Sequence, residues 1–309
     1  QWGQAIRLEI GHGMDKKLLK LIRRELNVTE EDIYEINGPL DLTFLMKMYV
    51  LEGFEEHKNK AFVPQPVMEI EEGRSIFDCI RERDILMHHP HQSFAPVVNF
   101  IKEASQDENV LAIKQTLYRV SGNSPIIKAL AQAAENGKQV SVLVELKARF
   151  DEENNVLWAK QLEQAGCLVI YGMNNLKTHS KITLVVRRRL GKIERFVHLG
   201  TGNYNDATAK IYTDMGIITS NKEFGIDATN FFNYLSGYTE KPKFHHIVVA
   251  PFDIRDEFIS LIDEEIRMHK QYGNGFIRAK MNSLTDKDLM MKLYEAAIEG
   301  VKIELIIRG

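Results

Sequence analysis

The chain of 309 residues is 44% hydrophobic and has a net charge of −3 at pH 7. This composition suits two or three globular domains and excludes an overall basic surface, so any polyanion must be held by a local cluster of cations. The two cysteines, Cys79 and Cys167, exclude a disulfide framework and favour a reducing, cytoplasmic compartment, and no apolar run is long enough to span a membrane.

Residues 1–70 are predicted to be part of an α+β head domain. The chain opens with Gln1 rather than Met, directly in a strand-like pattern, so we expect a fragment of a longer protein. The predicted elements are a strand at 5–10, a helix through Leu26 capped by Asp15, a short helical start at 29–32 and a helix at 42–51. Pro64 and Pro66 mark a linker.

Residues 71–245 are predicted to form an α/β core domain. Alternating strands and helices imply right-handed crossovers and a sheet that is parallel at first. The predicted elements are strands at 110–120, 140–146 and 167–171, a helix from Ser124-Pro125 to Asn136-Gly137, a helix from Asp151 to Gly166, and a closing helix at 223–238. Two further strands, around residue 179 and at 196–199, are predicted to form an antiparallel pair, which makes the sheet mixed.

Three histidines stand close together early in this domain, at His88, His89 and His91. Pro90 breaks any helix that would align them, and no carboxylate or thiolate follows at ligand spacing. Contact with phosphate or domain packing is therefore favoured over a metal site.

Residues 246–309 are predicted to be a truncated second α/β copy. Its elements are strands at 247–250, 276–282 and 301–307, a helix at 255–269, and a helix capped by Thr285. Aligning Gly137 with Gly300 places one apolar strand pattern on another: Val140, Val142 and Val144 fall on Ile303, Leu305 and Ile307. The chain therefore contains an internal repeat.

The central motif is at residues 176–181, which read Leu-Lys-Thr-His-Ser-Lys before an apolar strand. On a strand, His179 and Lys181 point the same way. A neutral imidazole can attack phosphorus, and an ammonium can hold a phosphate oxygen. The glycine-rich residues 200–205 follow, and they would allow backbone N–H groups to approach a ligand.

Two arginines, Arg119 and Arg149, stand at the ends of predicted parallel strands, where open α/β sheets bind ligands. They suit bidentate contact with phosphate, although an ion pair with Glu145 or Asp151 is the structural alternative. The arginines at 187–189 are assigned to a solvated hairpin turn.

The His-x-Lys strand followed by Gly-x-Gly-Asn is similar to the motif of the phospholipase D superfamily, which works through a phosphohistidine. That superfamily usually has Asp five residues after the Lys, where Val186 stands here. Residues 113–119, 144–153 and 209–214 extend the match, and over essentially its whole length the chain resembles polyphosphate kinases of the first type. The implied fold is a phospholipase D-like α/β core with a mixed, partly parallel sheet.

The resemblance implies reversible transfer of the terminal phosphate of ATP to polyphosphate, with His179 as the phosphorylated nucleophile and Lys181 beside it. The implied contacts with nucleotide or phosphate are Asn203, Tyr212, Arg308, Arg119 and Arg149. Arg119 and Arg149 are also implied to form the site of the Mg²⁺ cofactor, which they would hold through phosphate oxygens. For Tyr212, a core position with a satisfied hydroxyl is the alternative.

The implied partners are ATP, ADP and inorganic polyphosphate, with no nucleic acid. We expect a cytoplasmic homo-oligomer of the full-length protein, and peripheral membrane association stays open. Because such sites are built from two halves, we also expect a second histidine roughly 25–40 residues past Gly309. The alternatives are a phospholipase D-like phosphodiesterase or nuclease, and a non-catalytic polyanion-binding module.

Overall fold

The computed structural model describes residues 4–60, 62–120, 123–145, 152–172, 176–237 and 242–308, with side chains for all of these except 152–154. The chain divides into two compact units, Gln1–Phe62 and Val63–Gly309. Residues 63–70 group with the second unit, where Val67 is buried in the core. Within the described ranges, none of the helices is both long and apolar enough to cross a membrane.

The first unit contains a parallel strand pair, β1 (Leu8–Gly11) and β2 (Ile33–Ile36), with helices α1 (Lys16–Leu26) and α2 (Phe44–Tyr49). Asp15 caps α1 as predicted, accepting from the N–H groups of Lys17 and Leu18. The helical start predicted at 29–32 is wrong. The Asp32 carboxylate accepts from both the N–H and the hydroxyl of Thr29, which fixes a turn before β2.

The second unit is built on a seven-stranded sheet in the order β3-β9-β8-β7-β4-β5-β6. The strands are β3 (Ile85–His89), β4 (Val110–Leu117), β5 (Gln139–Val144), β6 (Leu168–Tyr171), β7 (Ile182–Arg189), β8 (Lys192–Gly200) and β9 (Asp214–Thr219). β4, β5 and β6 are parallel, and the other pairs are antiparallel. The predicted mixed, partly parallel α/β sheet is confirmed.

Helices cover both faces of this sheet. They are α3 (Ile76–Glu82), α4 (Ala95–Gln106), α5 (Pro125–Glu135), α6 (Glu152–Gln164) and α7 (Lys222–Leu235). Successive residues of β7 alternate between faces: Val185 joins the main core with α4 and α5, whereas Leu184 packs with Phe231 and Phe232 of α7. The site described below lies where α7 meets the start of β7.

Several local predictions in this unit are confirmed. The Ser124 hydroxyl accepts from the N–H groups of Ile126 and Ile127 at the start of α5. The β7–β8 hairpin turns through Leu190 and Gly191, both with positive φ (49° and 75°), as the favoured two-residue hairpin turn requires. The assignment of the arginines at 187–189 to a solvated turn is wrong, because they form the end of β7: Arg188 and Arg189 are exposed, whereas Arg187 is half-buried in an ion pair with Asp107 at 2.6 Å.

The strand predicted at 247–250 is wrong. The Asp227 carboxylate on α7 accepts from the N–H groups of His245, His246 and Ile247. A side chain thus takes the backbone donors that a neighbouring strand would need, and none of the described strands pairs with this segment. Strands β3 and β9 were missed by the sequence reasoning.

The chain ends in the predicted second α/β copy. It comprises α8 (Ile254–Tyr272), β10 (Phe276–Met281), α9 (Lys287–Ile298) and β11 (Lys302–Ile307), with β10 and β11 parallel. Asp286, and not Thr285 as predicted, caps α9, because its carboxylate accepts from the N–H groups of Asp288 and Leu289. α9 and β11 repeat the arrangement of α5 and β5.

The two copies also share an equivalent backbone hydrogen bond. The Glu145 N–H donates to the Leu117 carbonyl at 3.1 Å, and the Arg308 N–H donates to the Met281 carbonyl at 3.2 Å. Arg308 therefore occupies in the second copy the place that Glu145 occupies in the first, at the carboxyl end of a parallel strand.

Candidate active site

The segment that carries His179 immediately precedes β7. The prediction that His179 and Lys181 lie on a strand is therefore wrong, because β7 begins at Ile182. Thr116 on neighbouring β4 fixes the segment instead: its hydroxyl donates to the Ser180 carbonyl at 2.8 Å and accepts from the Ile182 N–H at 3.1 Å. The buried carboxylate of Glu145 accepts from the Thr178 N–H at 2.7 Å.

The two motif side chains are nevertheless in contact. Lys181 Nζ lies 2.9 Å from His179 Nδ1. The His179 side chain is exposed, whereas Lys181 is buried, and burial lowers the pKa of Lys181 to about 8. Desolvation, followed by the charges of neighbouring cations, holds the pKa of His179 below its usual value. The imidazole is therefore neutral at pH 7, which is the form that can act as a nucleophile.

This contact also fixes where the imidazole proton lies. An ammonium group only donates, so His179 Nδ1 accepts as long as Lys181 is charged. The neutral ring then carries its proton on Nε2. A lone pair becomes available for attack when Lys181 turns from Nδ1 to another acceptor, such as a phosphate oxygen.

Arg119 follows β4 in a left-handed backbone conformation, with a φ of 52°. Such a conformation is uncommon for a residue other than glycine and marks a backbone held by its surroundings. Asn205 holds it: the amide of Asn205 donates to the Arg119 carbonyl at 3.1 Å, while its oxygen accepts from the N–H groups of Ala207 and Thr208. Arg149 lies outside the described residues.

Gly202 and Gly216 leave no room for a side chain inside the protein. A Cβ added to Gly202 would lie 2.6 Å from the Asp214 carboxylate, which also accepts from the Thr201 hydroxyl at 2.9 Å. A Cβ on Gly216 of β9 would lie 2.9 Å from His198 Nε2. Close approach of a ligand to this backbone stays a prediction.

His198 is a second histidine near the motif, but it is a core residue. Its Nδ1 lies 2.7 Å from the Tyr204 hydroxyl, which accepts from Thr183. Burial, with a smaller contribution from His89, lowers the pKa of His198 to about 3. His198 is therefore a neutral, enclosed side chain, whereas His179 faces open space.

A cavity of about 650 Å³ opens in front of His179. One wall is formed by residues 176–182 and includes Lys177, His179 and Lys181. The opposite wall is apolar and is formed by α7 together with the segment that Asp227 holds; its members include Phe231, Leu235 and Pro251. The cavity thus has one cationic side and one apolar side.

The remaining predicted residues lie elsewhere in the described part of the chain. Asn203 lines a second, much smaller cavity beside His198. Tyr212 follows a short 3-10 helix (Thr208–Lys210) with 55% of its surface exposed, and Arg308 is exposed after β11. Among the described residues that line the large cavity, neither of these two appears.

The sequence reasoning did not identify Tyr118. Its ring lies edge-on to that of His179, with 5.1 Å between the ring centroids. A tyrosine after an apolar strand has no distinctive sequence signal, so only the fold reveals this contact.

The described side chains do not fit a magnesium ion held by the protein. Most charged groups around His179 are cations (Lys181, Lys177 and Arg119, against Glu145), and no cluster of three His, Cys, Asp or Glu side chains in the described ranges could hold a metal. Cations at this position would repel Mg²⁺ unless phosphate is bound. An ion at this position would therefore need oxygen ligands from a bound phosphate group.

Three parts of the chain match models of known protein families. Residues 75–241, more than half of the chain, match the family model described as polyphosphate kinase C-terminal domain 1. The chain belongs to the polyphosphate kinase family. Residues 247–309 match polyphosphate kinase C-terminal domain 2, and residues 1–48 match the polyphosphate kinase middle domain. The predicted resemblance to polyphosphate kinases is confirmed.

Individual polyphosphate kinases are similar along the whole chain. The enzyme of Bacillus cereus is 65% identical over 100% of this chain, and that of Staphylococcus epidermidis is 58% identical over 99%. The chain spans 44% and 42% of their lengths. The crystal structure of polyphosphate kinase from Porphyromonas gingivalis matches 98% of this chain and 46% of its own, with a TM-score of 0.83 and 32% identity.

Proposed function

We propose that this chain carries the phosphohistidine site of a polyphosphate kinase, which transfers the terminal phosphate of ATP reversibly to inorganic polyphosphate. The observation that carries the proposal is the contact of Lys181 with a neutral, accessible His179 at the mouth of a cavity. Family membership supports the substrates, because the related proteins are named polyphosphate kinases.

The transfer takes place in two displacements. An imidazole nitrogen of His179 forms a bond to the γ-phosphorus of ATP, the bond from that phosphorus to the β–γ bridging oxygen breaks, and ADP leaves. A terminal oxygen of polyphosphate then attacks the phosphohistidine, the N–P bond breaks, and the chain grows by one phosphate. Each step reverses when ADP accepts the phosphate.

Cationic side chains stabilise the charge of the phosphate during both steps. When phosphate enters, the Lys181 ammonium leaves His179 Nδ1 for a phosphate oxygen, and this exchange frees the lone pair. Arg119, whose backbone carbonyl is held by Asn205, supplies a guanidinium near His179. Arg149, Asn203, Tyr212 and Arg308 are proposed to bind phosphate or nucleotide, and Mg²⁺ enters with ATP.

At the level of the whole protein, we propose a cytoplasmic homo-oligomer, with peripheral membrane association as the open alternative. These proposals extend the family resemblance to the full-length protein, of which the chain spans less than half in its relatives.

The test is incubation of the full-length protein with γ-labelled ATP and Mg²⁺. We expect protein-bound label that is labile in acid and stable in base, and we expect His179→Ala to lose it while His57→Ala, at an exposed histidine of the first unit, retains it. Label retained in folded His179→Ala would place the nucleophile elsewhere. Absence of label with phosphodiester cleavage would indicate a phosphodiesterase, and polyphosphate binding without label a binding module.

A further inference from the structure

The aromatic ring of Tyr118 lies at the centre of the positive charges around His179. Tyr118 directly follows β4, and only 7% of its surface is exposed. Besides its edge-on contact with His179, its ring has three cations within reach: Lys177 Nζ at 4.9 Å, Arg119 Cζ at 5.3 Å and Lys181 Nζ at 5.6 Å from the centroid. We call these three side chains the cation cluster.

Cations at such distances attract the electron-rich face of an aromatic ring. Three positive groups gathered in one place repel one another, so something must hold them together. A carboxylate at the centre would do so but would also neutralise them and repel an anionic substrate. A tyrosine ring supplies negative potential without a net charge.

The carboxylates nearest the cluster already serve the backbone or the glycine loop. Glu145 accepts from the Thr178 N–H, and Asp214 accepts from the Thr201 hydroxyl. The ring of Tyr118 is an uncharged group within reach of all three cations.

We propose that Tyr118 is a positioning residue that holds the cation cluster beside His179 as a subsite for the phosphate oxygens of polyphosphate. The ring keeps the three cations close together and adds no negative charge that would repel the substrate. Lys177, which lines the cavity, thereby becomes a further phosphate-binding residue. This inference rests on the proposed function and adds the group that organises the substrate site.

The test is calorimetric titration of the full-length protein with tripolyphosphate. Tyr118→Phe keeps the ring, and we expect its affinity to stay within about two-fold of the unmodified protein. Tyr118→Leu removes the ring, and we expect about ten-fold weaker binding and a higher KM for polyphosphate, because several cation–π contacts are lost together. Tyr171→Leu, a half-exposed tyrosine on β6, is the matched control and should bind normally.

Folding of each variant is checked by its thermal transition, and Tyr118→Met replaces the leucine variant if that one does not fold. Equal losses in Tyr118→Phe and Tyr118→Leu would overturn the inference, because the hydroxyl and not the ring would then matter. Normal binding by Tyr118→Leu would overturn it while leaving the proposed function intact. No binding of tripolyphosphate by the unmodified protein would overturn both.

Discussion

Lys181 is a buried cation placed next to a histidine, an arrangement that costs folding free energy. Only 5% of its surface is exposed, and burial lowers its pKa from 10.5 to about 8. Proteins keep such groups where binding or catalysis needs them, at the expense of stability. The buried ammonium therefore lowers the free energy of unfolding, and this cost is consistent with the proposed role of Lys181 in binding phosphate.

We predict that Lys181→Met stabilises the protein at pH 7. The unfolded chain binds the lysine proton up to pH 10.5 and the folded one only up to about 8, so the unmodified protein gains stability as pH rises between these values. At pH 7 the free energy of unfolding of Lys181→Met should exceed that of the unmodified protein by up to about 3 kcal/mol, from about 1.4 kcal/mol per pKa unit. This difference should shrink towards pH 10.5.

The measurement is urea unfolding of both proteins from pH 7 to pH 10.5. Lys177→Met, at an exposed lysine of the same segment, is the control and should change the free energy of unfolding by no more than about 0.5 kcal/mol. If the free energies of unfolding of Lys181→Met and the unmodified protein differed by a constant amount across this pH range, burial of the Lys181 ammonium would not be the cause.

At the scale of elements, one carboxylate shapes the apolar wall of the cavity. Asp227 is fully buried on α7 and binds three successive backbone N–H groups from the segment at 245–247, together with the His245 ring at 2.9 Å. Burial raises its pKa, but these hydrogen bonds outweigh burial and hold the pKa below the usual value. The segment is thus attached to α7 by a charged group.

We predict that Asp227→Asn weakens this attachment. An amide keeps one acceptor oxygen and loses the charge, and hydrogen bonds to charged groups contribute about 1.5–3 kcal/mol, so the free energy of unfolding should fall by about 2 kcal/mol. Limited proteolysis should cut faster near residues 245–250. Asp256→Asn, at the start of α8, is the control, and unchanged cleavage in Asp227→Asn would show that the apolar contacts of Ile247 and Val249 suffice.

The asparagine variant also tests the pH dependence of this attachment. The stabilisation from Asp227 is present above the carboxylate pKa of the unfolded chain and is lost as pH falls through the lower pKa of the folded state. Acid should therefore release the segment in the unmodified protein, whereas the amide does not titrate.

At the scale of the whole molecule, the two units differ in how much apolar surface they bury. In the described residues 4–60, the buried hydrophobic side chains are Ile10 and Val28, whereas the second unit has a core drawn from seven strands and five helices. Regions with few buried contacts open at low free-energy cost. The units should therefore unfold separately.

We predict that amide hydrogens of residues 4–60 exchange faster than those of β4, β5 and β7 in this 309-residue chain. Hydrogen exchange followed by mass spectrometry of peptic fragments measures this directly. Unfolding by urea should accordingly depart from a single two-state transition. Equal protection in both units, with one cooperative transition, would contradict the separation.

Short-range features of this protein were predictable from its sequence. Caps at Asp15 and Ser124, the hairpin turn at Leu190-Gly191 and the alternation of strands and helices all depend on residues a few positions apart. Their stability comes from local backbone conformation and nearby hydrogen bonds, which the sequence specifies directly. The contact between His179 and Lys181 belongs to the same class, since one residue, Ser180, stands between them in the chain.

Long-range pairing was decided only by the tertiary structure. β4 lies beside β7 in the sheet, and this order brings Tyr118 and Thr116 to a segment more than sixty residues later in the chain. The apolar residues 247–249, predicted to be part of a strand, instead form a wall of the cavity, because Asp227 binds the backbone of this segment. Such outcomes depend on which partners the packed core places nearby, because a strand needs a neighbouring strand and a buried cation needs a group that stabilises its charge.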